Sequence, residues 1–402
     1  MEPVRQAMAA YFVAFALLGC SSARESATKP SAGPPPSSGC IAQVAATYDF
    51  VVLVRRTDGT LWASATGADF TPIADAGGPL IASDIAASGS SAYGDAIGCA
   101  LLGGMPWCFP IAGPLIDSTN LGANLGFGVT TTSARQVVRS AGGEPVTDIL
   151  QLAGGMNGSG ASFCGVARDG GAWCWGYNIG GLLGHGDDDT ATFARPVLSA
   201  PDKVFTDAVE VRVGFSSSCA RKSDGSVWCW GDNSYGQLGV APDVMGESLF
   251  PVPVALPGPA TQLAASPGHT HCAILEDTSV VCWGRNEYAE AGAPDAQLTV
   301  LPTAIMSAAD GSPLRDALDL APDRGMKAMC ANTSKSGLLC WGDPNGPSAV
   351  AVANAAGEEL GAIAVPLSAF GARDGKLIYV NALGELVFGA GSLPADQQPP
   401  CP

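Results

Sequence analysis

The feature that most constrains this chain is a segment of cysteine and tryptophan that recurs along its length. The clearest copy is Trp228-Cys229-Trp230-Gly231, and another cysteine, Cys219, lies ten residues before Cys229. Three further copies keep the ten-residue spacing, and one variant has nine. The five cysteine pairs are Cys99 and Cys108, Cys164 and Cys174, Cys219 and Cys229, Cys272 and Cys282, and Cys330 and Cys340.

Each pair predicts a β-hairpin with a disulfide across its two strands. The segment Ser223-Asp224-Gly225 suits a three-residue turn in which glycine takes the left-handed conformation. Closing that turn at Lys222 and Ser226 places Cys219 directly opposite Cys229, where the two α-carbons are closest. The turn Gly103-Gly104 explains the nine-residue variant in the same way.

Two other fates for these cysteines are weighed against the disulfides. One is a set of free, buried thiols. The other is zinc, but zinc sites favour cysteine pairs about two to four residues apart, and no such pair exists here. The spacing therefore favours disulfides, which require an oxidising compartment.

Two terminal segments fit the same hairpin without cysteine. Leu53 and Ala63 flank the first, and Ile378 and Phe388 flank the second. In the fifth and sixth hairpins, Asp277-Thr278 and Lys335-Ser336 replace the Asp-Gly turn. The seven turns are expected near residues 59, 104, 170, 225, 278, 336 and 384. Consecutive turns are therefore 45 to 66 residues apart. Repeats of that length are typical of four-stranded propeller blades.

The segment after each hairpin makes the architecture more specific. Gly231-Asp232-Asn233-Ser234-Tyr235-Gly236-Gln237-Leu238-Gly239 and its counterpart at 176–184 resemble the regulator of chromosome condensation repeat. The resemblance covers roughly residues 41 to 395 and implies an all-β fold, a seven-bladed β-propeller of four-stranded antiparallel blades. The eight tryptophans lie on the second strands of these hairpins, where packing between blades explains them better than sugar stacking does.

A propeller must close, and we expect the N- and C-terminal segments to close this one. Cys40 and Cys401 bracket the repeats and remain once the five hairpin pairs and Cys20 are assigned. Propellers bring their two termini together within one blade. We therefore predict a Cys40–Cys401 disulfide that clamps the first blade to the last.

The N-terminus predicts export and a lipid anchor. Residues 7 to 18 form an apolar run that is too short for a bilayer span of about 20 residues and fits a signal peptide. It ends in Leu17-Leu18-Gly19-Cys20, which resembles the lipobox of bacterial lipoproteins. Residues 1–19 are thus the predicted signal peptide, Cys20 the lipidated residue, 20–39 a flexible tether rich in Ser, Pro and Gly, and 40–402 the propeller.

The negative net charge of the chain excludes two classes of binding partner. With a net charge of −17, the chain is repelled by nucleic acid and by anionic membrane surfaces. Membrane attachment is expected through the lipid alone. In lipoproteins of this kind, an Asp directly after the lipidated Cys retains the protein at the inner membrane, and here that position is Ser21. We therefore expect an outer-membrane protein of the cell envelope, facing the periplasm or the cell surface.

Candidate catalytic and metal sites are sparse. His269 and His271 are two residues apart, which on a strand directs both rings to one face, but no third ligand lies near them in sequence. Asp187-Asp188-Asp189 offers oxygen ligands for calcium without the alternating spacing of a calcium loop. The sequence holds no nucleophile elbow and no phosphate-binding glycine loop. We therefore predict no catalytic residue, no metal site and no cofactor.

The combined reading is a lipid-anchored, non-enzymatic propeller. We expect a monomer that binds a protein, or as a lesser alternative a glycan, through the face that carries its loops. The longest insertions, about 110 to 160 and 240 to 262, are the expected contact segments. The nuclear members of the resembled family act on a small GTPase, but an acidic, exported chain does not support that role. The second hypothesis is a propeller hydrolase or lyase for cell-surface glycans, which would use two carboxylates from distant blades.

Overall fold

A computed structural model describes most of the repeat region. The described residues are 41–47, 51–64, 70–75, 78–90, 95–112, 134–156, 160–294, 297–322 and 327–352, with short strands at 378–380, 386–388 and 391–392. The lipidation residue Cys20, the tether and the predicted Cys40–Cys401 bridge lie outside them. No helix among the described residues has the length and apolar character needed to cross a membrane.

The described chain is an all-β propeller built from successive antiparallel sheets, which we call blades 1 to 6. In each blade the first strand is innermost and each later strand pairs with the one before it. Blade 1 contains β1 (Ile41–Ala46), β2 (Val52–Arg56), β3 (Leu61–Ser64) and β4 (Thr71–Pro72); blade 2 contains β7 (Ile85–Ser90), β8 (Asp95–Leu102), β9 (Met105–Ala112) and β10 (Arg135–Gln136); blade 3 contains β11 (Ile149–Met156), β12 (Ala161–Ala167), β13 (Ala172–Gly176) and β14 (Ala191–Pro196).

The later blades repeat this order. A short β5–β6 ribbon (Ala74–Asp75 and Gly78–Pro79) precedes blade 2, and a β15–β16 ribbon (Leu198–Ala200 and Lys203–Val204) precedes blade 4. A single 3₁₀ turn lies at Ile179–Gly181. Blade 4 contains β17 (Ala208–Val213), β18 (Ser217–Lys222), β19 (Val227–Asp232) and β20 (Glu247–Pro253); blade 5 contains β21 (Ala260–Ala265), β22 (Thr270–Leu275), β23 (Val280–Arg285) and β24 (Thr299–Ala304); blade 6 contains β26 (Ala317–Pro322), β27 (Ala328–Thr333), β28 (Gly337–Gly342) and β29 (Gly346–Ala351), with β25 (Met306–Ser307) added parallel to β29.

The predicted number of blades is corrected from seven to six. At the position of the seventh, the described residues form a three-stranded sheet of β30 (Ile378–Val380), β31 (Leu386–Phe388) and β32 (Gly391–Ser392). Ile378 pairs with Phe388 as the sequence predicts. Three strands are described there, so the described residues form six four-stranded blades.

The cysteine hairpins have the geometry expected from their spacing. All five pairs are disulfide-bonded, with α-carbons 4.0 to 4.1 Å apart. Cys219 lies directly opposite Cys229, and the turn between them closes through a hydrogen bond from the Lys222 N–H to the Ser226 carbonyl. Gly225 has a φ of 80°, in the left-handed region.

The two turns without an Asp-Gly pair differ from each other. Thr278 takes the place of the turn glycine in blade 5 and has a φ of 66°, which is uncommon for a β-branched residue. In blade 6, Ser336 has the equivalent position in sequence, but the positive φ of 69° moves one residue on to Gly337. Blade 6 thus shifts its turn to place glycine at the left-handed position, whereas blade 5 keeps a threonine there.

The hydrophobic core lies between blades as much as within them. One buried cluster joins Leu182 and Leu183 of blade 3 to Trp230 of blade 4, and other clusters join the remaining neighbouring blades in the same way. In blades 3 to 6 the tryptophan that directly follows the second cysteine of the hairpin is fully buried at these seams. These are Trp175, Trp230, Trp283 and Trp341.

A backbone contact joins each hairpin turn to the next blade. The N–H of Ala260, the first residue of β21, donates to the carbonyl of Gly225 at 2.8 Å. A Cβ on Gly225 would lie 2.5 Å from Pro259 Cβ and 3.0 Å from its Cα. The turn glycine is therefore required twice, by its own φ and by the neighbouring blade. Gly59, Gly104 and Gly170 accept the same bond from Ala82, Ile149 and Ala208.

This contact predicts the effect of one substitution. Gly225→Ala should lower the free energy of unfolding by about 1–3 kcal/mol, because it combines a left-handed alanine with a steric clash. Gly258→Ala, two residues before β21 begins at Ala260, has open space around its Cβ and should change stability by less than about 0.5 kcal/mol. Urea unfolding of both variants measures the difference, and equal stability of the two would contradict the seam interpretation.

Candidate functional site

The blades present their longer loops at one end of the propeller, which we call the loop face. It is formed by the connections from first to second strand and from third to fourth strand, while the hairpin turns lie at the opposite end. In blades 3 to 5 the loop face includes residues 177–190, 214–216, 233–246, 266–269 and 286–294.

A buried asparagine holds each long loop in shape. In blade 4, Asn233 Oδ1 accepts from the Leu238 N–H at 2.8 Å, and Asn233 Nδ2 donates to the Val240 carbonyl at 3.1 Å and to the Met245 carbonyl. Asn178 and Asn286 make the corresponding bonds in blades 3 and 5. The asparagine of the Asp-Asn motif therefore fixes the conformation of the loop. Its side-chain amide bonds the backbone N–H and carbonyl groups that a loop leaves unpaired.

The next blade fixes the same loops from the side. The indole N–H of Trp230 donates to the Leu182 carbonyl at 2.9 Å, and that of Trp283 donates to the Gln237 carbonyl at 3.0 Å. Trp341 bonds the carbonyl of Glu290 in blade 5 at 3.0 Å. Three of the four seam tryptophans thus hold a loop of the preceding blade, and the loop face of blades 3 to 5 is a rigid platform.

His269 lies near the centre of this platform. It has a φ of 70°, in the left-handed region where a non-glycine residue is uncommon and often marks a functional position. Its ring lies between Phe215, at 4.8 Å between centroids, and Tyr235, at 5.1 Å. Burial lowers the pKa of His269 to about 4, against the opposing effect of the Asp232 carboxylate.

Cations continue this stack into the next two blades. The Arg285 guanidinium lies 5.6 Å from the ring centroids of both Tyr235 and Tyr288, and Lys327 Nζ lies 4.8 Å from the Tyr288 centroid. These distances are within the range of cation–π attraction. We call the whole series the aromatic–cation ladder; its members are Phe215, His269, Tyr235, Arg285, Tyr288 and Lys327.

Ser216, His269 and Asp232 lie together but are not arranged as a catalytic triad. Ser216 Oγ lies 3.0 Å from His269 Nδ1 and 3.1 Å from Asp232 Oδ2. Asp232 thus contacts the serine, and Gln237 Nε2 donates to that same carboxylate oxygen at 2.7 Å. A triad needs the carboxylate on the imidazole, where it orients the base. The cluster instead ties the loops of blades 4 and 5 together.

Apolar side chains project from the same face. Val244 is 77% exposed and Leu298 is 59% exposed, each on a third-to-fourth strand connection. Ile179 and Tyr235 are 38% exposed on the corresponding loops of blades 3 and 4. Exposed apolar side chains grouped on rigid loops are typical of a binding surface.

The two histidines of the His-x-His pattern do not share a face. His269 lies in the connection before β22, whereas His271 lies on β22, where it is fully buried and 2.7 Å from Ser217 Oγ. The strand alternation used for the sequence does not apply because His269 ends a turn. No group of three His, Cys, Asp or Glu side chains suited to a metal occurs in the described part of the chain.

The acidic loop 187–189 is engaged by its own blade. Asp187 Oδ2 forms an ion pair with Arg195 Nη2 at 2.8 Å, and the Asp187 and Asp189 carbonyls accept from Asn178. Beside it, burial lowers the pKa of His185 to about 4.

The two expected insertions need correction. Of 110–160, residues 113–133 and 157–159 lie outside the description, and nearly all the rest forms the end of β9, β10, the whole of β11 and the connection between β10 and β11. Of 240–262, only 240–246 is loop; the remainder is β20, a connection and the start of β21. The repeats diverge too far there for the sequence alone to show the outer strand.

The sequence analysis does not predict the polar ring that surrounds the central cavity. The innermost strands of all six blades line a cavity of about 350 Å³. Five of them have a β-bulge followed by a polar residue. The ring consists of Gln43, Asp84, Gln151, Glu210, Gln262 and Asp319. A four-residue sequence pattern marks each member of the ring. The first and last residues are apolar, the second is variable, and the third is Gln, Glu or Asp, as in Ala208-Val209-Glu210-Val211.

Members of this polar ring bond to the next blade. Gln151 Nε2 donates to the Val211 carbonyl at 3.1 Å, and its Oε1 accepts from the Val211 N–H at 3.0 Å. Asp84 accepts from the Leu152 N–H at 2.7 Å, and burial raises the pKa of this carboxyl. An inner strand has no strand partner on its cavity side, so these side chains satisfy its exposed backbone groups.

Comparisons with known proteins agree with this architecture. The model of the regulator of chromosome condensation (RCC1) repeat matches residues 208–237 and 224–275. The chain carries RCC1 repeats. Among solved structures, Prp20p of Saccharomyces cerevisiae is similar with a TM-score of 0.58 and 17% identity over 79% of this chain and 77% of that one. Human WBSCR16 gives a TM-score of 0.54 and 14% identity over 80% and 79%.

Similar sequences are found in larger RCC1-like proteins. The E3 ubiquitin-protein ligase HERC2 of Mus musculus is 31% identical over 201 residues, which is 48% of this chain and 4% of HERC2. The ultraviolet-B receptor UVR8 of Arabidopsis thaliana is 28% identical over 128 residues, which is 32% of this chain and 28% of UVR8. The chain thus matches well under a third of the length of either relative.

The buried histidines predict how stability depends on pH. Burial lowers the pKa of His271 to about 3, so the folded protein keeps this ring neutral where the unfolded chain, with a pKa of 6.5, gains a proton. The free energy of unfolding should therefore fall as pH drops from 6.5 towards 4, by up to about 1.4 kcal/mol per pH unit for His271.

The variant His271→Gln isolates this contribution, since glutamine can keep the bond to Ser217. His185 and His269 also have lowered pKa values, so the pH slope should decrease by roughly one third in the variant. Urea unfolding at pH 6.5, 5.5 and 4.5 measures the slope. An unchanged slope would show that His271 is not held neutral.

Proposed function

We propose that this protein is a non-catalytic protein-binding propeller, held in the bacterial cell envelope by a lipid on Cys20, and that its loop face contacts the partner. The observation that carries the proposal is the aromatic–cation ladder with the exposed apolar side chains beside it. Tyrosine and arginine are enriched in the energetic centres of protein interfaces.

The rigidity of the loop face supports the same use. Three seam tryptophans and three buried asparagines hold the loops before any partner arrives. A preformed surface loses little conformational entropy on binding, so its apolar contacts convert more fully into affinity. RCC1-like relatives include regulators and ligases, and the Prp20p structure was described with its binding to Gsp1p and histones. These relatives favour an interaction module.

The glycan hydrolase or lyase remains the weaker hypothesis. It would require two carboxylates available to substrate in a cleft. Around the central cavity, Glu210 forms ion pairs with Arg212 and Arg221, both at 2.9 Å, and Asp84 and Asp319 bond to neighbouring side chains. These carboxylates join blades, so a binding role for the loop face fits the geometry better.

A matched pair of valine substitutions tests the binding surface. Val244→Glu places a charge on the loop face, and Val204→Glu does so at 44% exposure in the β15–β16 ribbon at the hairpin end. Photo-crosslinking on intact cells should capture a partner with the wild type and Val204→Glu, and at least about fivefold less with Val244→Glu. Equal loss in both variants, or capture unaffected by either, would contradict a loop-face interface.

The lipid anchor has its own test. Cys20→Ser removes the thiol that would carry the lipid, so the protein should no longer incorporate a labelled fatty acid. It should also move from the membrane fraction to the soluble fraction. Folding should be unaffected, because Cys20 is not one of the ten paired cysteines of the hairpins. Unchanged membrane association of the variant would show that the lipid on Cys20 is not the anchor.

A further inference from the structure

The loop face carries more negative than positive charge among its exposed residues. Two cations of the ladder are already paired: Arg285 with Glu287, and Lys327 with Asp343 at 3.4 Å. Four other exposed carboxylates belong to the same loops or to the strand that leaves them. They are Asp188, Asp189, Asp243 and Glu247, and no ion pair in the described part of the chain engages them.

These carboxylates surround the exposed apolar residues. Asp243 immediately precedes Val244 in the blade 4 loop, and Glu247 begins β20 three residues later. The blade 3 loop packs directly against this strand, since the Gly186 N–H donates to the Leu249 carbonyl at 3.2 Å. Asp188, two residues beyond Gly186, therefore belongs to the same continuous surface as Val244.

Resting on the proposed function, we infer that the partner is a protein whose contact surface presents lysine or arginine side chains around an aliphatic anchor. The aliphatic group packs on Val244 and Leu298, and the cations face the unpaired carboxylates. An acidic partner would bring like charges together over an apolar patch, which is unfavourable in a protein interface. Long-range attraction would also speed association with a basic partner at low salt.

Overall charge is the main competing explanation, because a chain of net charge −17 attracts any cation. Two variants separate local from overall charge. Asp188→Lys with Asp243→Lys changes the loop face, and Glu144→Lys with Glu276→Lys makes the same change in net charge at the hairpin end. All four side chains are exposed, and the described residues give none of them a side-chain hydrogen bond or ion pair.

The probes are three synthetic peptides of about 20 residues, with lysine and leucine, glutamate and leucine, or lysine and serine. Fluorescence anisotropy should show the lysine–leucine peptide binding at least about tenfold more tightly than the other two. The loop-face double variant should weaken that binding at least about fivefold, and the hairpin-end variant less than about twofold.

Three outcomes would overturn the inference. Equal weakening by both double variants would assign the attraction to overall charge, and equal binding of the lysine–serine peptide would remove the aliphatic anchor. Preferred binding of the glutamate peptide would reverse the charge assignment. The same variants also distinguish this inference from the proposed function. If the loop-face double variant still captures the cellular partner, and Val244→Glu still reduces that capture, the protein-binding proposal holds and only the basic character of the partner is wrong.

Discussion

The seam between neighbouring blades is the contact on which the rest of this structure depends. A four-stranded blade alone leaves an apolar face uncovered and the backbone of its inner strand unpaired. The seam between blades 3 and 4 corrects both faults at three levels. A backbone bond reaches the turn glycine at the hairpin end, a polar side chain pairs the inner strand at the cavity, and an indole N–H holds a loop carbonyl at the loop face. Between these levels the seam is filled by buried aliphatic and aromatic side chains.

The sequence predicted best what is decided locally. Cysteine spacing and turn chemistry alone place Cys219 opposite Cys229, because a hairpin register follows from its turn. The number of complete blades was wrong. The sequence predicts the hairpin of Ile378 and Phe388 correctly, and the residues described there add only β32 to it. The shift of the left-handed residue to Gly337 also escaped prediction, since two turn solutions of similar length were available.

The candidate site was much harder to foresee. Phe215, Tyr235 and Arg285 come from three separate connections, and only the stacking of blade 4 on blade 5 brings them together. His269 was assigned to a strand because His-x-His alternates, whereas the chain is still turning there. The polar ring had a detectable pattern, but a single Gln or Glu in an apolar strand attracts no notice until its repetition around the cavity is seen.

Within the described blades, covalent cross-links stop at the blade boundary. Every disulfide there joins two adjacent strands of one hairpin, and none crosses a seam. A single cut between blades 3 and 4 would therefore leave disulfides within both fragments, and among the described residues only non-covalent contacts would join the two. Such a molecule resists local fraying of its hairpins, yet it can in principle be assembled from separate blade groups. In the described blades the cysteines stabilise single hairpins, and the non-covalent seams hold neighbouring blades together.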